Sequence, residues 1–367
     1  MYIHEHSGHH QAAIALEKAF RDQRPLRVQC LLVDALRYTH PILEKFIRRT
    51  YLEIIKKNPQ VWEYLYDNPL VLKSTLKLKK AVQQAHSRRL EKLISKFDPT
   101  DVVCTQAFPC GIISDFKTTR DFKAPLYAVL TDYLPHSYWL KENVARYFVP
   151  CKEAKERLIA MGVFETHISI TGIPIEAAPA NPKTKIAAFS KEKATPLILV
   201  MGGSQGLGPI EKIVLELDCL EENFEIIVLT GKNKKLFGQL NHLKKKLLKK
   251  LRAIAYTENV MPYFKLASVL VSKPGGLTIA QALASKVPLI FINPIPGQEA
   301  NNAFFLLKNQ AALEARSEKE VAQHVGQLLR FPAKMRLMKR NMGRLAYPAA
   351  ASDIVRQILN QRRPADG

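Results

Sequence analysis

Short, continuously apolar, β-rich runs alternate with helix-like stretches along this chain, and that alternation limits the fold more than any other feature. The runs fall at 28–33, 102–105, 126–130, 146–149 and 168–171 in the first half, and at 197–201, 225–229, 251–255, 268–271 and 289–292 in the second. A strand that is apolar on both faces must be covered on both, so the pattern predicts parallel sheets flanked by helices. The alternation lapses between Gly172 and Pro196, where Pro174, Pro179, Pro182 and Pro196 interrupt any period. This reads as a linker between two α/β halves. A chain of 367 residues is long enough for two separate cores. The expected boundaries are a first domain over 1–175, a linker over 176–196, a second domain over 197–345 and a final helical segment over 346–367.

Charge narrows the partners. Lys and Arg number 55 against 33 Asp and Glu, a formal net charge of +22. Such an excess suits phosphates or an anionic membrane surface. No DNA- or RNA-binding motif accompanies it, so nucleic acid is not expected as a partner. Two stretches concentrate the charge. Residues 41–97 mix Tyr, Trp and aliphatics with Lys and Arg, as helices lying in a bilayer interface do. Between Lys232 and Arg252 there are nine basic residues and no acid, including the amphipathic KKKLLKKL. No apolar run reaches the roughly 20 residues that span a bilayer. MYIHEHSGHH has no apolar signal-peptide core. Cys30, Cys104, Cys110, Cys151 and Cys219 lack metal-type pairing and read as reduced thiols of a cytoplasmic protein.

The motifs with chemical content sit where strands end. MGGSQGLGP follows the run at 197–201 and precedes a helical pattern. Gly203 and its neighbours let backbone turn tightly and approach a ligand, and a helix N-terminus favours an anion. Ser204 adds a hydroxyl and Gln205 an amide. The motif is neither a Walker loop nor GxGxxG, so a dinucleotide is not indicated. The second block, SKPGGLTIAQALASKVPLIFINPIPGQEANNA, repeats the arrangement. Lys273 places a cation beside Gly275 and Gly276, and a helix opens near Leu277 with Thr278 in its first turn. NPIPGQEANN then offers polar groups suited to sugar hydroxyls. Open α/β sheets bind ligands at the carboxyl ends of their strands. TGKNKKL, with Lys232, and the loop Asn259, Val260 and Met261 follow two further strands. In the first half, His9 precedes a helix expected over 11–20 and is a candidate general base. Asp132, His136 and Trp139 follow the strand at 126–130. Asp132 and His136 lack a third ligand, so no metal is expected.

Taken in order, SGHHQAA, VVCTQAFP, TDYLPHSYW, YFVPCKEAKERL, ITGIPI, MGGSQG, TGKNKKL, TENVMPYF and SKPGGLTIAQAL…PIPGQEANNA resemble the diacylglycerol glycosyltransferases of glycosyltransferase family 28. That group includes monogalactosyldiacylglycerol synthases and processive diacylglycerol glucosyltransferases. The resemblance implies a GT-B fold, two Rossmann-like α/β domains with parallel sheets facing a cleft. It implies an inverting, metal-free transfer of a hexose from UDP-glucose or UDP-galactose to diacylglycerol, by a peripheral protein on the cytoplasmic face of a membrane. The second domain would bind the UDP-sugar, the first the acceptor and membrane, and the last helix would cross back to the first domain. His9 falls on the family's proposed base. Gly203, Ser204, Gln205, Lys273, Gly275, Gly276, Leu277 and Thr278 fall on the diphosphate loops, Gln298 and Glu299 on the sugar contacts, and Asp132, His136 and Trp139 near the acceptor.

Two positions depart from the family pattern. Gln281 stands where relatives usually carry a Glu that grips the ribose, and its amide lacks the charge-assisted bond. Only MYIHEHS precedes Gly8, so either the start is placed late or the first strand is shortened to about residues 1–4. These departures keep a non-catalytic UDP-sugar- and membrane-binding protein as an alternative. The other alternative is a UDP-N-acetylglucosamine transferase acting on a polyprenyl-linked peptidoglycan precursor. That group shares GGSQG, but KPGGLT and PIPGQE favour the diacylglycerol group.

Overall fold

The structure is a computed structural model, and it describes residues 1–3, 5–23, 28–39, 89–176, 195–292, 294–295 and 297–361. The expected basic helices of 41–97 lie outside the described residues up to 88. Two compact units form, one from Met1–Glu176, Ile295–Gln298 and Ala349–Gly367, the other from Ala177–Pro294 and Glu299–Pro348.

The first unit holds a parallel sheet of β1 (Val102–Cys104), β2 (Leu126–Val129), β3 (Val144–Val149) and β4 (Ile168–Ile170), in that spatial order. Its helices are α1 (Gly8–Gln23), α2 (Ala35–Thr39), α3 (residues 89–97), α4 (Ala107–Thr119) and α5 (Lys152–Ala160). The expected strand at 28–33 does not join a ladder. Tyr2 instead makes one parallel bridge to Asp34, with Tyr2 N–H donating to Val33 O at 3.0 Å and Ala35 N–H to Tyr2 O at 2.9 Å. On its other side, Thr105 N–H donates to Met1 O at 3.0 Å and the Met1 amino group to Val103 O. An extended segment becomes a strand only through its neighbours, and here the neighbour is two residues long. A cavity of about 210 Å³, lined among others by Met1, Leu16, Val28, Leu32 and Val103, continues from this point.

A helix from the end of the chain, Ala350–Asn360, also belongs to this unit. Its Ile354, Val355 and Ile358 pack with Ala15, Leu16 and Ala19 of α1 over Tyr127, Val129 and Phe148 of the sheet. At about 1.5–3 kcal/mol per buried aliphatic side chain, those three residues alone contribute roughly 5–9 kcal/mol of burial.

The second unit is a six-stranded parallel sheet in the order β10-β9-β8-β5-β6-β7. Its strands are β5 (Leu197–Met201), β6 (Glu225–Leu229), β7 (Leu251–Ile254), β8 (Val269–Ser272), β9 (Leu289–Ile292) and β10 (Ala312–Ala315). The connecting helices are α6 (Ile210–Asp218), α7 (Lys234–Leu243), α8 (Met261–Leu266), α9 (Gly276–Ser285), α10 (Gln298–Lys308), α11 (Glu318–Arg330) and α12 (Pro332–Leu345), so the helix at Ala350–Asn360 is α13. β5, β8 and β9 are buried throughout, as their unbroken apolar runs require. Because every strand runs the same way, all exits lie on one edge of the sheet. The winding reverses at the β5–β8 pair, which makes that pair the switch point where α/β sheets open a ligand crevice. KKKLLKKL is not a helix: α7 ends at Leu243, residues 244–250 form turns, and β7 starts at Leu251. Among the described residues no helix is long and apolar enough to cross a membrane.

Candidate active site

In the second unit, the two glycine-rich motifs leave the adjacent strands β5 and β8, one on each side of the switch point. The β5 loop is locked against the β6 loop by backbone contacts that only glycine permits. Gly206 has φ +58°, and a Cβ there would lie 2.1 Å from Thr230 O. Gly231 has φ +56°, and its Cβ would lie 2.4 Å from Ser204 O. Lys232 N–H donates to Ser204 O at 2.9 Å, and Asn233 Nδ2 to Gly206 O at 3.1 Å. Gly203, Ser204, Gln205 and Lys232 are therefore brought together. The Lys232 ammonium lies 5.5 Å over the Tyr256 ring.

After β8, Gly275 N–H donates to Lys273 O at 2.9 Å and closes the turn into α9. Gly275 is the N-cap and its position supplies no side-chain acceptor to the first turn of α9. Amides near Gly276, Leu277 and Thr278 thus have capacity for an anion at the positive end of the helix dipole. Gln281 is buried, at 9% exposure, one turn further along the same helix. Asn302 of α10, fully buried, donates from Nδ2 to Pro274 O at 3.1 Å and supports the turn from behind. A cavity of about 70 Å³ lies between the two glycine loops, with Met201, Gly208, Pro209, Ser272 and Lys273 in its wall. Ser272 Oγ is buried there with no hydrogen-bond partner. Asn259, Val260 and Met261 stand on the same sheet edge after β7, where Asn259 Oδ1 accepts from Met261 N–H at 3.1 Å.

In the first unit, His9 lies inside the first turn of α1, not ahead of it. Ser7 starts the helix early, its Oγ accepting from His10 N–H at 3.2 Å and its carbonyl from Gln11 N–H at 3.1 Å. His9 Nδ1 is 3.0 Å from Thr105 O and 2.7 Å from Thr131 Oγ1. A carbonyl only accepts, so Nδ1 carries the proton and Nε2 keeps its lone pair. Thr105 Oγ1 donates to His9 O at 2.8 Å, tying the turn to the end of β1. Burial lowers the His9 pKa below its ordinary 6.5, against smaller opposing effects from the Asp132 charge and the Thr105 bond. The imidazole is thus neutral near pH 7, as a general base must be.

Asp132 is buried after β2, and its Oδ2 accepts from Gln298 Nε2 at 2.7 Å, Gln298 being grouped with this unit. His136 packs edge-on to Tyr138 with ring centres 5.3 Å apart, and burial drives its pKa down to about 4. Trp139 is 1% exposed in the 3-10 turn Ser137–Trp139, so it supports the turn from within instead of offering a surface. Glu299 follows in the first turn of α10, grouped with the second unit. Sequence reasoning did not find Thr105, Thr131, Asn233, Ser272 or Asn302. Among the described residues no group of three His, Cys, Asp or Glu is placed to hold a metal ion.

The monogalactosyldiacylglycerol (MGDG) synthase model matches residues 9–175, and the glycosyltransferase family 28 C-terminal domain model matches 197–354. A processive diacylglycerol beta-glucosyltransferase of Bacillus cereus is 30% identical over 360 residues, 97% of this chain and 91% of its own. The chain belongs to the diacylglycerol glycosyltransferases of family 28. A family member of the same description from Bacillus licheniformis is 27% identical, over 88% of this chain and 84% of its own. The fold is GT-B. The Staphylococcus aureus MnaA–UDP structure superposes with TM-score 0.64 at 16% identity, over 100% of this chain and 99% of that one. Acinetobacter baumannii MurG gives 0.60 at 13% identity, over 98% of each. As a family 28 member, the chain is a sugar-nucleotide-dependent hexosyltransferase.

Proposed function

We propose that this enzyme transfers a hexose from a UDP-sugar to the free hydroxyl of diacylglycerol, with inversion at the anomeric carbon, at an anionic membrane surface. The observation that carries the reading is His9, held neutral by burial with Nδ1–H turned to Thr105 O, which leaves Nε2 free to take the proton of an attacking hydroxyl. The relatives' names supply the acceptor and the sugar class.

In this reading the first unit prepares the nucleophile and the second holds the leaving group. A hydroxyl bonded to Nε2 loses its proton as its oxygen attacks the anomeric carbon, and the bond from that carbon to UDP breaks on the opposite face. Thr131 and Thr105 keep the ring oriented, and the nearby Asp132 carboxylate stabilises the imidazolium that forms. Amides at the start of α9 and the ammonium groups of Lys232 and Lys273 meet the growing diphosphate charge, the role a divalent ion plays elsewhere. Asn259 to Met261 face the base and Gln281 the ribose, while Gln298 and Glu299 serve the sugar. Asp132 and His136 border the acceptor. Glucose is the sugar in the relatives' names and galactose that in the family model's. The test is product analysis with purified protein and diacylglycerol vesicles, UDP-glucose against UDP-galactose, with and without EDTA. Glycolipid formation that survives EDTA supports the reading. UDP binding without transfer to diacylglycerol sinks it.

A further inference from the structure

β6 and β7 leave the second sheet side by side, and their exits bring a cation and an aromatic ring together. Leu229 is in register with Ile254. Just past that pair the chains stay joined, because Thr230 N–H and Oγ1 both donate to Ile254 O, at 2.8 and 3.1 Å. Lys232 and Tyr256 each stand two residues beyond this junction, so the register of the sheet sets one beside the other. The Lys232 ammonium comes to rest 5.5 Å from the centre of the Tyr256 ring, within reach of a cation–π contact.

The backbone of Lys232 is fixed against the β5 loop. Gly231 before it takes φ +56°, and Lys232 N–H is bonded to Ser204 O at 2.9 Å. Its side chain is exposed, and among the described residues no carboxylate pairs with it, the exposed Glu258 included. Asn233 caps α7, its Oδ1 accepting from Leu236 N–H at 2.9 Å while its Nδ2 donates to Gly206 O at 3.1 Å. What this exit offers an anion is therefore chiefly the ammonium. A lysine side chain free in water samples many rotamers, and ordering it when a ligand binds costs affinity. A carboxylate partner would order it but cancel its charge. A ring face orders it and leaves the charge whole. Tyr256 is half-buried, and burial, with a smaller effect from the Glu258 charge, raises its pKa above the ordinary 10, so the phenol stays neutral near pH 7.

We propose that Tyr256 is a positioning residue for the donor diphosphate: its ring holds the Lys232 ammonium beside the β5 loop, ready for a phosphoryl oxygen and not neutralised. Tyr256 acts on the nucleotide through Lys232 and is not a surface for the base. The role rests on the donor site proposed above, in which Lys232 meets the diphosphate charge.

The experiment is titration calorimetry of the full-length protein with UDP and with uridine. Tyr256→Leu weakens UDP binding about two- to fivefold, the scale of an exposed cation–π contact, and leaves uridine binding unchanged. Tyr256→Phe keeps the ring face and binds UDP as the wild type does. Lys232→Met weakens UDP binding about tenfold. Adding Tyr256→Leu to Lys232→Met costs nothing further, because the ring then has no cation to hold. Unchanged UDP affinity in Tyr256→Leu overturns the proposal. An equal loss for uridine also overturns it, by marking the ring as a surface for the base or a prop for the whole loop. A full further loss in the double variant does so too, by making the two residues independent. Wild-type protein that binds no UDP overturns the donor site itself, and the role of Tyr256 with it.

Discussion

Replacing Gly206 by Ala tests whether the β5 and β6 loops form one structural device. Two costs arise at this position. The backbone sits at φ +58°, where an L side chain costs about 1–2 kcal/mol. The new Cβ would also lie 2.1 Å from Thr230 O and 2.9 Å from Asn233 Cβ. An ordinary carbon–oxygen contact needs about 3.3 Å, so one loop must retreat by about 1 Å. That retreat strains the Lys232 N–H bond to Ser204 O and the Asn233 bond to Gly206 O, each about 1 kcal/mol net. The total is about 3–4 kcal/mol. Gly203 is the control, since it has φ +68° but nothing within 4 Å of its Cβ position. Gly203→Ala therefore carries the backbone cost alone. The two variants differ by about 2 kcal/mol, so at about 2–4 °C per kcal/mol thermal unfolding should place Gly206→Ala roughly 4–8 °C below Gly203→Ala. Titration with UDP should show an affinity loss of at least about tenfold for Gly206→Ala, because the diphosphate loop has moved. Equal melting temperatures for the two variants would refute the claim that steric closeness, beyond turn conformation, requires glycine here.

His9→Ala should reduce transfer at least about 100-fold with UDP affinity nearly unchanged, the scale of a lost general base; an unaltered rate removes His9 from the chemistry. Because burial lowers the His9 pKa, the acid limb of kcat/KM should have its midpoint below 6.5, and a midpoint above 6.5 contradicts the buried, neutral imidazole. Thr131→Val removes one of the two oxygens at His9 Nδ1 and should lower kcat several-fold without moving KM for the UDP-sugar, consistent with about 1 kcal/mol of orientation. For stability, His136 has a folded pKa of about 4 against 6.5 unfolded, so the unfolded chain binds the extra proton as pH falls. Stability should drop between pH 6.5 and 4 by up to about 3 kcal/mol, and His136→Gln should flatten that part of the melting-temperature profile.

Much of the second sheet can be read directly from residue order, because its central strands are apolar on both faces. β5, β6 and β9 begin and end where their runs do. β10 escaped notice because ALEA is an edge strand with Leu313 half-buried and Glu314 exposed, so its run is broken by a charge. The segment at 28–33 misled for the opposite reason. Its composition suits a strand, but sheet membership depends on the neighbouring chain, and Tyr2 offers it one hydrogen bond, to Val33 O. KKKLLKKL reads as an amphipathic stretch by local pattern. The carboxylate that turns it, Asp218, lies 30 positions away and leaves no mark near it.

The same limit governs the candidate site. Loops that must hug other backbone announce themselves as glycine, so Gly206 and Gly231 are visible in the sequence before any partner is known. His9 is visible because it sits beside a helix start in the SGHHQAA motif. What makes it a base is not local: Thr105 and Thr131, which fix its tautomer, stand 96 and 122 positions away at the ends of β1 and β2. Thr is an ordinary residue at a strand end, and nothing in its surroundings separates these two from Thr171 or Thr230. Parallel topology creates the coincidence, because it gathers every strand end on one edge and turns separate side chains into one arrangement. The residues that supply chemistry in this family are therefore readable one at a time, and those that orient them become readable only once the strands have been set in order.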